Sequence, residues 1–390
     1  MSNPTLTEPA AIVLVTTSFP ICSDGSEAAG VFVADLAEAL SAHRPVRVVA
    51  PGKAAGSETW SEGVEVFRYA APSKPLSTIR PWWPADLGHL FRVVRGGLAA
   101  TRDAVSAGAT VHVLALWALP SGHWARLAAN EAGIPYSVWT LGSDIWTLGR
   151  VPIVRSQLRR VLRDAHACFA DGLQLAEDTR RIGGREVEFK PSTRRIGVRR
   201  SVPVRAQPPY RLLFIGRWHP NKGVDLLLEA LGLLDDSDWA RIESVAIFGG
   251  GPLAPQVGSG VLALQAAQRP VSLGGYLDTA AAEKQMLCAD FMLIPSRIES
   301  IPVVFSDAMK VGCPVLACPV GDLPQLVSEG PCGRVARNVS ARAYADLLAD
   351  VLASASAAGY RDGVEAMAGR FSVERIAAGI ASRLGGRDDG

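Results

Sequence analysis

Two cations close together in the sequence could hold an anionic ligand. Arg217 and Lys222 lie in the segment Phe214–Gly223 (FIGRWHPNKG), which follows an apolar run of strand length and precedes a helical pattern. Gly216 would let the chain turn sharply, and Gly223 would start the helix with little steric bulk. Two fixed cations and the free N–H groups of a helix start can balance the charge of a diphosphate. The segment therefore predicts a diphosphate site, with an ordinary loop bearing exposed cations as the alternative.

A second segment, Ile247–Pro252 (IFGGGP), places glycines at the end of another predicted strand. Gly249 and Gly250 would let the backbone approach a ligand closely. The spacing is not GxGxxG, so a tight turn is the alternative interpretation.

A third segment combines a helix start with two carboxylates. Ile301, Pro302 and Val303 lie where a loop becomes a helix, and proline is favoured at the first helical position. The free N–H groups there would form another anion site. Glu299 precedes this helix and Asp307 lies about one turn inside it, so both side chains can face the same side. Such a pair suits hydrogen bonds to sugar and ribose hydroxyls, with a capping or surface pair as the alternative.

Strands alternate with helices along the chain, and this order must position the three segments. The predicted strands are Ala11–Thr17, Val46–Ala50, Val64–Tyr69, Thr110–Leu116, Tyr136–Thr140, Ala167–Ala170, Arg211–Ile215, Ser244–Phe248, Val271–Leu273, Phe291–Ile294 and Val315–Ala317. The order predicts an α/β fold with two doubly wound parallel sheets and a cleft between them. We expect an N-terminal domain over 1–205, a C-terminal domain over 206–370, and a linker at Ile196–Pro209. A terminal helix within 371–390 would return to the N-terminal domain.

Together, the three segments resemble the donor half of the family-4 retaining glycosyltransferases of GT-B fold, over most of residues 210–330. The resemblance implies two Rossmann-like domains, an acceptor-binding one followed by one that binds a nucleotide-sugar donor. It implies that Arg217 and Lys222 hold the donor diphosphate and that Glu299 holds the donor sugar. These three residues form the predicted catalytic set, and Asp307 would hold the ribose.

The resemblance implies further contacts, and those in the N-terminal half come from a looser similarity. The base would stack near Tyr276 and Leu277, and Gly30 would approach the donor phosphates. The acceptor would lie against the N-terminal domain, near Asp144 and the loop after Ser18.

Two departures from the family pattern leave the sugar and ribose contacts open. Leu141 stands where many members have a histidine that touches the donor sugar, and leucine cannot form that hydrogen bond. Asp307 replaces the usual glutamate and is one methylene shorter.

The resemblance implies a retaining, hexosyl-type transferase that moves a sugar from a nucleotide-diphosphate-sugar to a hydroxyl of a glycan or lipid-linked acceptor, as in polysaccharide biosynthesis. The nucleotide-sugar would be a co-substrate, and we expect no other cofactor. No Asp-x-Asp follows a strand in the donor half, so we expect no essential metal. One alternative is an inactive protein that binds a nucleotide-sugar, and another is a GT-B nucleotide-sugar 2-epimerase. A nicotinamide oxidoreductase is disfavoured because no GxGxxG follows the first strand.

Composition indicates an ordinary globular protein, with 48% hydrophobic residues, 20% charged residues and a net charge of +2. Basic side chains are concentrated in residues 150–200, which form either a solvated surface or a patch for anionic lipid or a phosphate-bearing acceptor. No nucleic-acid-binding module is visible, and no cysteine pair has zinc spacing. Without a signal peptide or a long apolar run, we expect a cytoplasmic protein that can lie at the inner membrane face.

Overall fold

The computed structural model describes residues 9–21, 30–71, 84–354 and 356–385. Contacts divide the chain into two units. The first unit runs to Arg194 and takes in the chain from Val373 onward, and the second unit is Arg195–Ser372.

The first unit is built on an eight-stranded sheet with the order β3-β4-β2-β1-β5-β6-β7-β8. Its strands are β1 Ala11–Val15, β2 Val46–Gly52, β3 Gly56–Ser61, β4 Val64–Ala70, β5 Thr110–Leu116, β6 Tyr136–Thr140, β7 Cys168–Ala170 and β8 Glu188–Phe189. Neighbouring strands are parallel except β3, which pairs antiparallel with β4 at the sheet edge. All five residues of β1 are buried, as expected for a central parallel strand covered on both faces.

Helices cover this sheet, and the last one comes from the end of the chain. They are α1 Val31–Ser41, α2 Pro84–Ser106, α3 Ser121–Ala132, α4 Ser143–Trp146, α5 Pro152–Asp164, α6 Leu173–Gly183 and, from the C-terminal segment, α15 Val373–Gly385. Val373, Ile376 and Ile380 of α15 share a buried cluster with Leu36 and Leu40 of α1. Apolar burial against α1 therefore holds the terminal helix in the first unit.

The second unit contains a six-stranded parallel sheet with the order β11-β10-β9-β12-β13-β14. Its strands are β9 Tyr210–Arg217, β10 Ile242–Gly250, β11 Val271–Gly274, β12 Phe291–Ile294, β13 Val315–Ala317 and β14 Gly333–Val335. Its helices are α7 Val224–Gly232, α8 Asp236–Trp239, α9 Ala254–Ala266, α10 Thr279–Cys288, α11 Val303–Lys310, α12 Leu323–Glu329, α13 Ala341–Ser354 and α14 Arg361–Arg370.

The segment expected as a linker, Ile196–Pro209, is counted with the second unit. The Arg200 guanidinium donates hydrogen bonds to the carbonyls of Met286, Leu287, Ala289 and Val311. These contacts tie the segment to the second unit, so the division falls at Arg195.

All the predicted strands are present, and within each sheet they pair in parallel with one another. No described helix is long and apolar enough to cross a membrane.

Candidate functional site

The ends of β9 and β10 bring the first two predicted segments side by side. Gly216 pairs with Gly249, and Arg217 pairs with Gly250. Gly249 has a φ of 146°, and a Cβ there would lie 1.9 Å from the Gly216 carbonyl oxygen. Only glycine therefore fits at Gly249. Gly216 lies inside β9 instead of making the predicted sharp turn, because the strand continues through Arg217.

The turn comes later, between Trp218 and Gly223. A short 3₁₀ turn covers Pro220–Lys222, and the His219 Nδ1 accepts a hydrogen bond from the Asn221 N–H at 3.2 Å. Gly223 has a φ of 70° and directly precedes α7. A Cβ on Gly223 would lie 1.9 Å from the Pro295 carbonyl oxygen, so the loops after β9 and β12 touch at this glycine.

The same approach brings two of the predicted catalytic residues together. The Lys222 ammonium forms an ion pair with the Glu299 carboxylate, and the Ser296 hydroxyl lies 3.4 Å from the same oxygen. Arg217 is exposed, and no described residue forms a hydrogen bond or ion pair with its guanidinium. The site thus holds one cation paired with a carboxylate and one cation that faces solvent.

The start of α11 lies next to this ion pair in sequence. Pro302 precedes the helix, and no side chain caps the N–H groups of its first turn. Ile301 and Pro302 are buried, whereas Val303 is exposed. Asp307 is only 3% exposed, on the buried side of α11, and its contact with a ribose stays a prediction.

Tyr276 lies beside the end of β10 and is 73% exposed. Its hydroxyl donates a 2.8 Å hydrogen bond to the Gly250 carbonyl, and a Cβ on Gly250 would lie 2.5 Å from its ring. Leu277 follows and is partly buried, and the Asp278 carboxylate then caps α10 by accepting from the Ala281 N–H at 2.7 Å. The structure therefore places an exposed aromatic face at the strand end where a base is expected.

Sequence reasoning missed the contacts that hold the loop of Glu299. Arg297 makes a bidentate ion pair with Asp225, at 2.7 and 2.8 Å, and also donates to the Pro220 carbonyl at 2.7 Å. Burial acts to raise the pKa of Asp225, but the hydrogen bonds and the charge of Arg297, with backbone hydrogen bonds, together hold it below its usual value. On the other side of the loop, a Cβ on Gly321 would lie 2.0 Å from the Ser300 carbonyl oxygen. Arg297, Asp225 and Gly321 belong to no sequence pattern, so the sequence alone could not predict these contacts.

In the first unit, the structure brings Ser18 and Gly30 together. Gly30 has a φ of 82° and precedes α1, and a Cβ there would lie 2.7 Å from the Ser18 carbonyl carbon. The Thr16 hydroxyl donates to the Ser18 carbonyl at 3.0 Å, which fixes the loop after β1. The expected contacts of Gly30 with donor phosphates and of Ser18 with an acceptor stay predictions.

Asp144 is 1% exposed, and its carboxylate is occupied by the backbone. It accepts hydrogen bonds from the N–H groups of Ala118 (2.7 Å), Ile145 (3.2 Å) and Leu141 (3.3 Å). Burial raises the Asp144 pKa to about 6 despite these hydrogen bonds, which favour the charged form. These contacts give Asp144 a structural role in joining two loops of the first unit, and its contact with an acceptor stays a prediction.

Metal ligands do not cluster in the part of the chain that the structure describes. None of its His, Cys, Asp and Glu side chains form a group of three or more that could hold an ion. The five described cysteines are free.

Comparison with known families matches both halves of the chain. Residues 27–193 match the model of a glycosyl transferase 4-like domain, and residues 209–354 match the model of glycosyl transferases group 1. The two matches follow one another and together cover most of the chain.

Curated relatives match the chain over a shorter stretch. The D-inositol 3-phosphate glycosyltransferase of Streptomyces coelicolor is 34% identical over 148 residues, or 35% of this chain and 32% of that protein. The protein of the same name from Corynebacterium glutamicum is 34% identical over 143 residues, or 36% of this chain and 34% of that protein. The match thus spans about a third of the length of these relatives.

Solved structures resemble the whole chain. Sucrose-phosphate synthase from Thermosynechococcus elongatus has a TM-score of 0.70 at 18% identity, covering 96% of this chain and 98% of that one. Anabaena HepE in complex with UDP-glucose has a TM-score of 0.67 at 17% identity, covering 96% of this chain and 99% of that one. These likenesses show the GT-B fold. With both halves matched by glycosyltransferase models, the chain belongs to the family-4 glycosyltransferases of GT-B fold.

Proposed function

We propose that the protein transfers a sugar, of hexosyl type, from a nucleotide-diphosphate-sugar to a hydroxyl of a glycan or lipid-linked acceptor, with retention of configuration. The observation that carries this proposal is the cluster at the ends of β9, β10 and β12. There Lys222 is paired with Glu299, Arg217 faces solvent, and Gly216 of β9 pairs with Gly249 of β10. The UDP-glucose complex of the structural neighbour HepE supports a nucleotide-sugar as co-substrate.

In this proposal Arg217 and Lys222 bind the diphosphate, and the uncapped N–H groups of α11 add positive potential. The bond from the anomeric carbon to the diphosphate oxygen breaks, and the acceptor oxygen bonds to that carbon from the same face. The acceptor proton passes to the departing phosphate. Charge grows on the diphosphate as it leaves, so cations held against it stabilise the transition state more than the ground state. No step requires a metal ion.

Glu299 has two partners in this scheme. Without donor, its carboxylate neutralises Lys222. With donor bound, the Lys222 ammonium would pair with the diphosphate in place of Glu299. The released carboxylate would then accept hydrogen bonds from sugar hydroxyls. The ion pair thereby keeps both groups ordered before the donor arrives.

The proposal is tested by incubating the purified protein with a panel of nucleotide-sugars and glycan or lipid-linked acceptors, and by identifying the products. Arg217→Ala and Lys222→Ala should each lower kcat/KM at least about 100-fold, as loss of a donor to a developing anion does elsewhere. Arg361→Ala and Lys284→Ala are the matched controls, because both side chains are exposed in the same unit. NMR of the product tests retention.

The same assay separates the alternatives. An inactive nucleotide-sugar-binding protein would bind a donor without forming product. A 2-epimerase would convert the donor without an acceptor. Either result would overturn the proposed transfer.

We also propose that the first unit contacts an anionic membrane through α5. Ile153 is 85% exposed and Val151 is 47% exposed, at the start of a helix whose Arg159 and Arg160 also face solvent. No described acidic side chain forms an ion pair with either arginine, whereas α6 neutralises its own arginines with Glu177 and Asp178. Apolar side chains beside unneutralised arginines suit the interface of an anionic bilayer.

Flotation with phosphatidylglycerol-containing vesicles and with phosphatidylcholine vesicles tests this surface. We expect recovery mainly with the anionic vesicles, and Arg160→Glu or Ile153→Asp should reduce it. Arg337→Glu makes the same charge change at an exposed position of the second unit and should not. Equal recovery with both vesicle types would refute the membrane proposal.

A further inference from the structure

The loops that carry Lys222 and Glu299 are joined by more than their ion pair. The Arg297 N–H donates to the Asn221 carbonyl at 2.7 Å, and the Arg297 guanidinium donates to the Pro220 carbonyl at 2.7 Å. These bonds connect the loop after β12 to the loop after β9, two strands that are neighbours in the sheet.

Both terminal nitrogens of the Arg297 side chain bond to the other loop and its helix. One terminal nitrogen donates to a carboxylate oxygen of Asp225 at 2.7 Å and the other donates to the second oxygen at 2.8 Å. Asp225 lies in the first turn of α7, where the helix dipole favours a carboxylate. The bidentate geometry fixes the direction of the guanidinium as well as its distance. Lysine has three N–H donors on a single nitrogen and lacks the planar fork, so it cannot reproduce the two parallel bonds to the carboxylate together with the bond to Pro220.

These contacts lie close in sequence to the two groups assigned to the donor. Lys222 follows Pro220 and Asn221, and Glu299 follows Arg297 by two residues. A shift of Arg297 would therefore move the loop of Glu299 relative to the loop of Lys222. A misplacement of about 1 Å at a reacting centre can cost about 100-fold in rate.

We propose that Arg297 and Asp225 are positioning residues that fix the Lys222 ammonium relative to the Glu299 carboxylate. The diphosphate and the sugar of the donor would thereby be held in a fixed position relative to each other. Arg297 acts through these two groups and not by touching the donor. The inference rests on the proposed transfer reaction for its kinetic consequence, whereas the joining of the two loops stands independently of it.

The kinetic test is a double-mutant cycle in the full-length protein. Arg297→Lys should lower kcat at least about tenfold, because the charge is kept and the geometry is lost. In the Lys222→Ala background, the same substitution should change kcat less than about twofold. An equal fractional loss in both backgrounds would overturn the proposal, since it would mean a general effect on the fold.

Amide hydrogen exchange of the donor-free protein gives a readout that needs no activity. Arg297→Lys and Asp225→Asn should each speed exchange in residues 218–223 and 296–301 together, by about tenfold or more. Arg370→Lys, which alters the ion pair of Arg370 with Glu329 outside these loops, is the matched control. Unchanged exchange in either variant would overturn the joining of the loops. If the unmodified protein transfers no sugar, the proposed function fails, and the exchange result still decides whether Arg297 joins the two loops.

Discussion

Gly223→Ala should damage both the stability of the second unit and its proposed nucleotide site. The residue has a φ of 70°, which costs a non-glycine residue about 1 to 2 kcal/mol. The new Cβ would lie 1.9 Å from the Pro295 carbonyl oxygen, so the backbone of one loop must move. Forced overpacking of this kind costs about 1 to 3 kcal/mol more. We expect the unfolding free energy of the second unit to fall by about 2 to 5 kcal/mol.

Thermal unfolding and nucleotide titration measure the two effects. For a unit of this size, about 2 kcal/mol lowers the melting temperature by roughly 4 to 8 °C. Moving the loop also displaces Lys222, so affinity for a nucleoside diphosphate should fall about tenfold or more.

The matched control lies in the same helix. Gly232 ends α7, has no positive φ, and has open space where a Cβ would stand. Gly232→Ala should therefore leave nucleotide binding unchanged and raise stability by up to about 1 kcal/mol. Equal melting temperatures and affinities for Gly223→Ala and the unmodified protein would refute the proposed close approach of the two loops.

Three further predictions concern single side chains. Glu299→Gln should abolish transfer yet tighten binding of the nucleoside diphosphate by roughly two- to fivefold, because the partly exposed Lys222 loses the carboxylate that competes for it. Calorimetry measures this affinity, and weaker binding than in the unmodified protein would contradict the prediction. Asp144→Asn should remove a pH dependence of the first unit. The Asp144 pKa is raised to about 6 in the folded state, so the folded state binds the proton more tightly and stability falls as pH rises from about 4 to about 6. Denaturant unfolding measures the unfolding free energy at about pH 4.5 and about pH 7. Between these two pH values the unmodified protein should lose about 2 kcal/mol more than the variant does. The same change in both proteins would contradict this prediction. Tyr276→Ala should weaken nucleotide binding by about 1 to 3 kcal/mol, because the stacked ring is lost. Tyr276→Phe keeps the ring and loses only the hydrogen bond to Gly250, so it should weaken binding by less than about 1 kcal/mol. Equal losses of binding free energy in the two variants would exclude stacking.

The strands and the cation loop could be predicted because their signals are local. A buried parallel strand such as β1 is a continuous apolar run, and the Pro-Asn-Lys-Gly run at 220–223 contains the residues that mark a loop between regular elements. The edge strand β3 (GSETWS) was missed because it is mostly exposed and has no apolar pattern. Strand β8 has only two residues, too few for any periodicity.

The pairing of Arg297 with Asp225 could not be predicted, because the two residues are 72 positions apart and neither belongs to a pattern. The role of Gly216 was misplaced for a related reason. Gly216 makes no turn in its own loop. The steric need for glycine lies on the neighbouring strand at Gly249, where a Cβ would lie 1.9 Å from the Gly216 carbonyl oxygen. Burial of Asp144 likewise depends on distant backbone, the N–H of Ala118.

Calorimetric titration with UDP, GDP and ADP tests the central claim, that Arg217 and Lys222 form a diphosphate site in the second unit. The unmodified protein should bind at least one nucleotide with one site per chain. The double variant Arg217→Ala/Lys222→Ala should bind it at least about 100-fold more weakly, since each charge-assisted contact contributes about 1.5 to 3 kcal/mol. The control Arg361→Ala/Lys284→Ala should bind as the unmodified protein does. Equal affinity of the two double variants would contradict the claim.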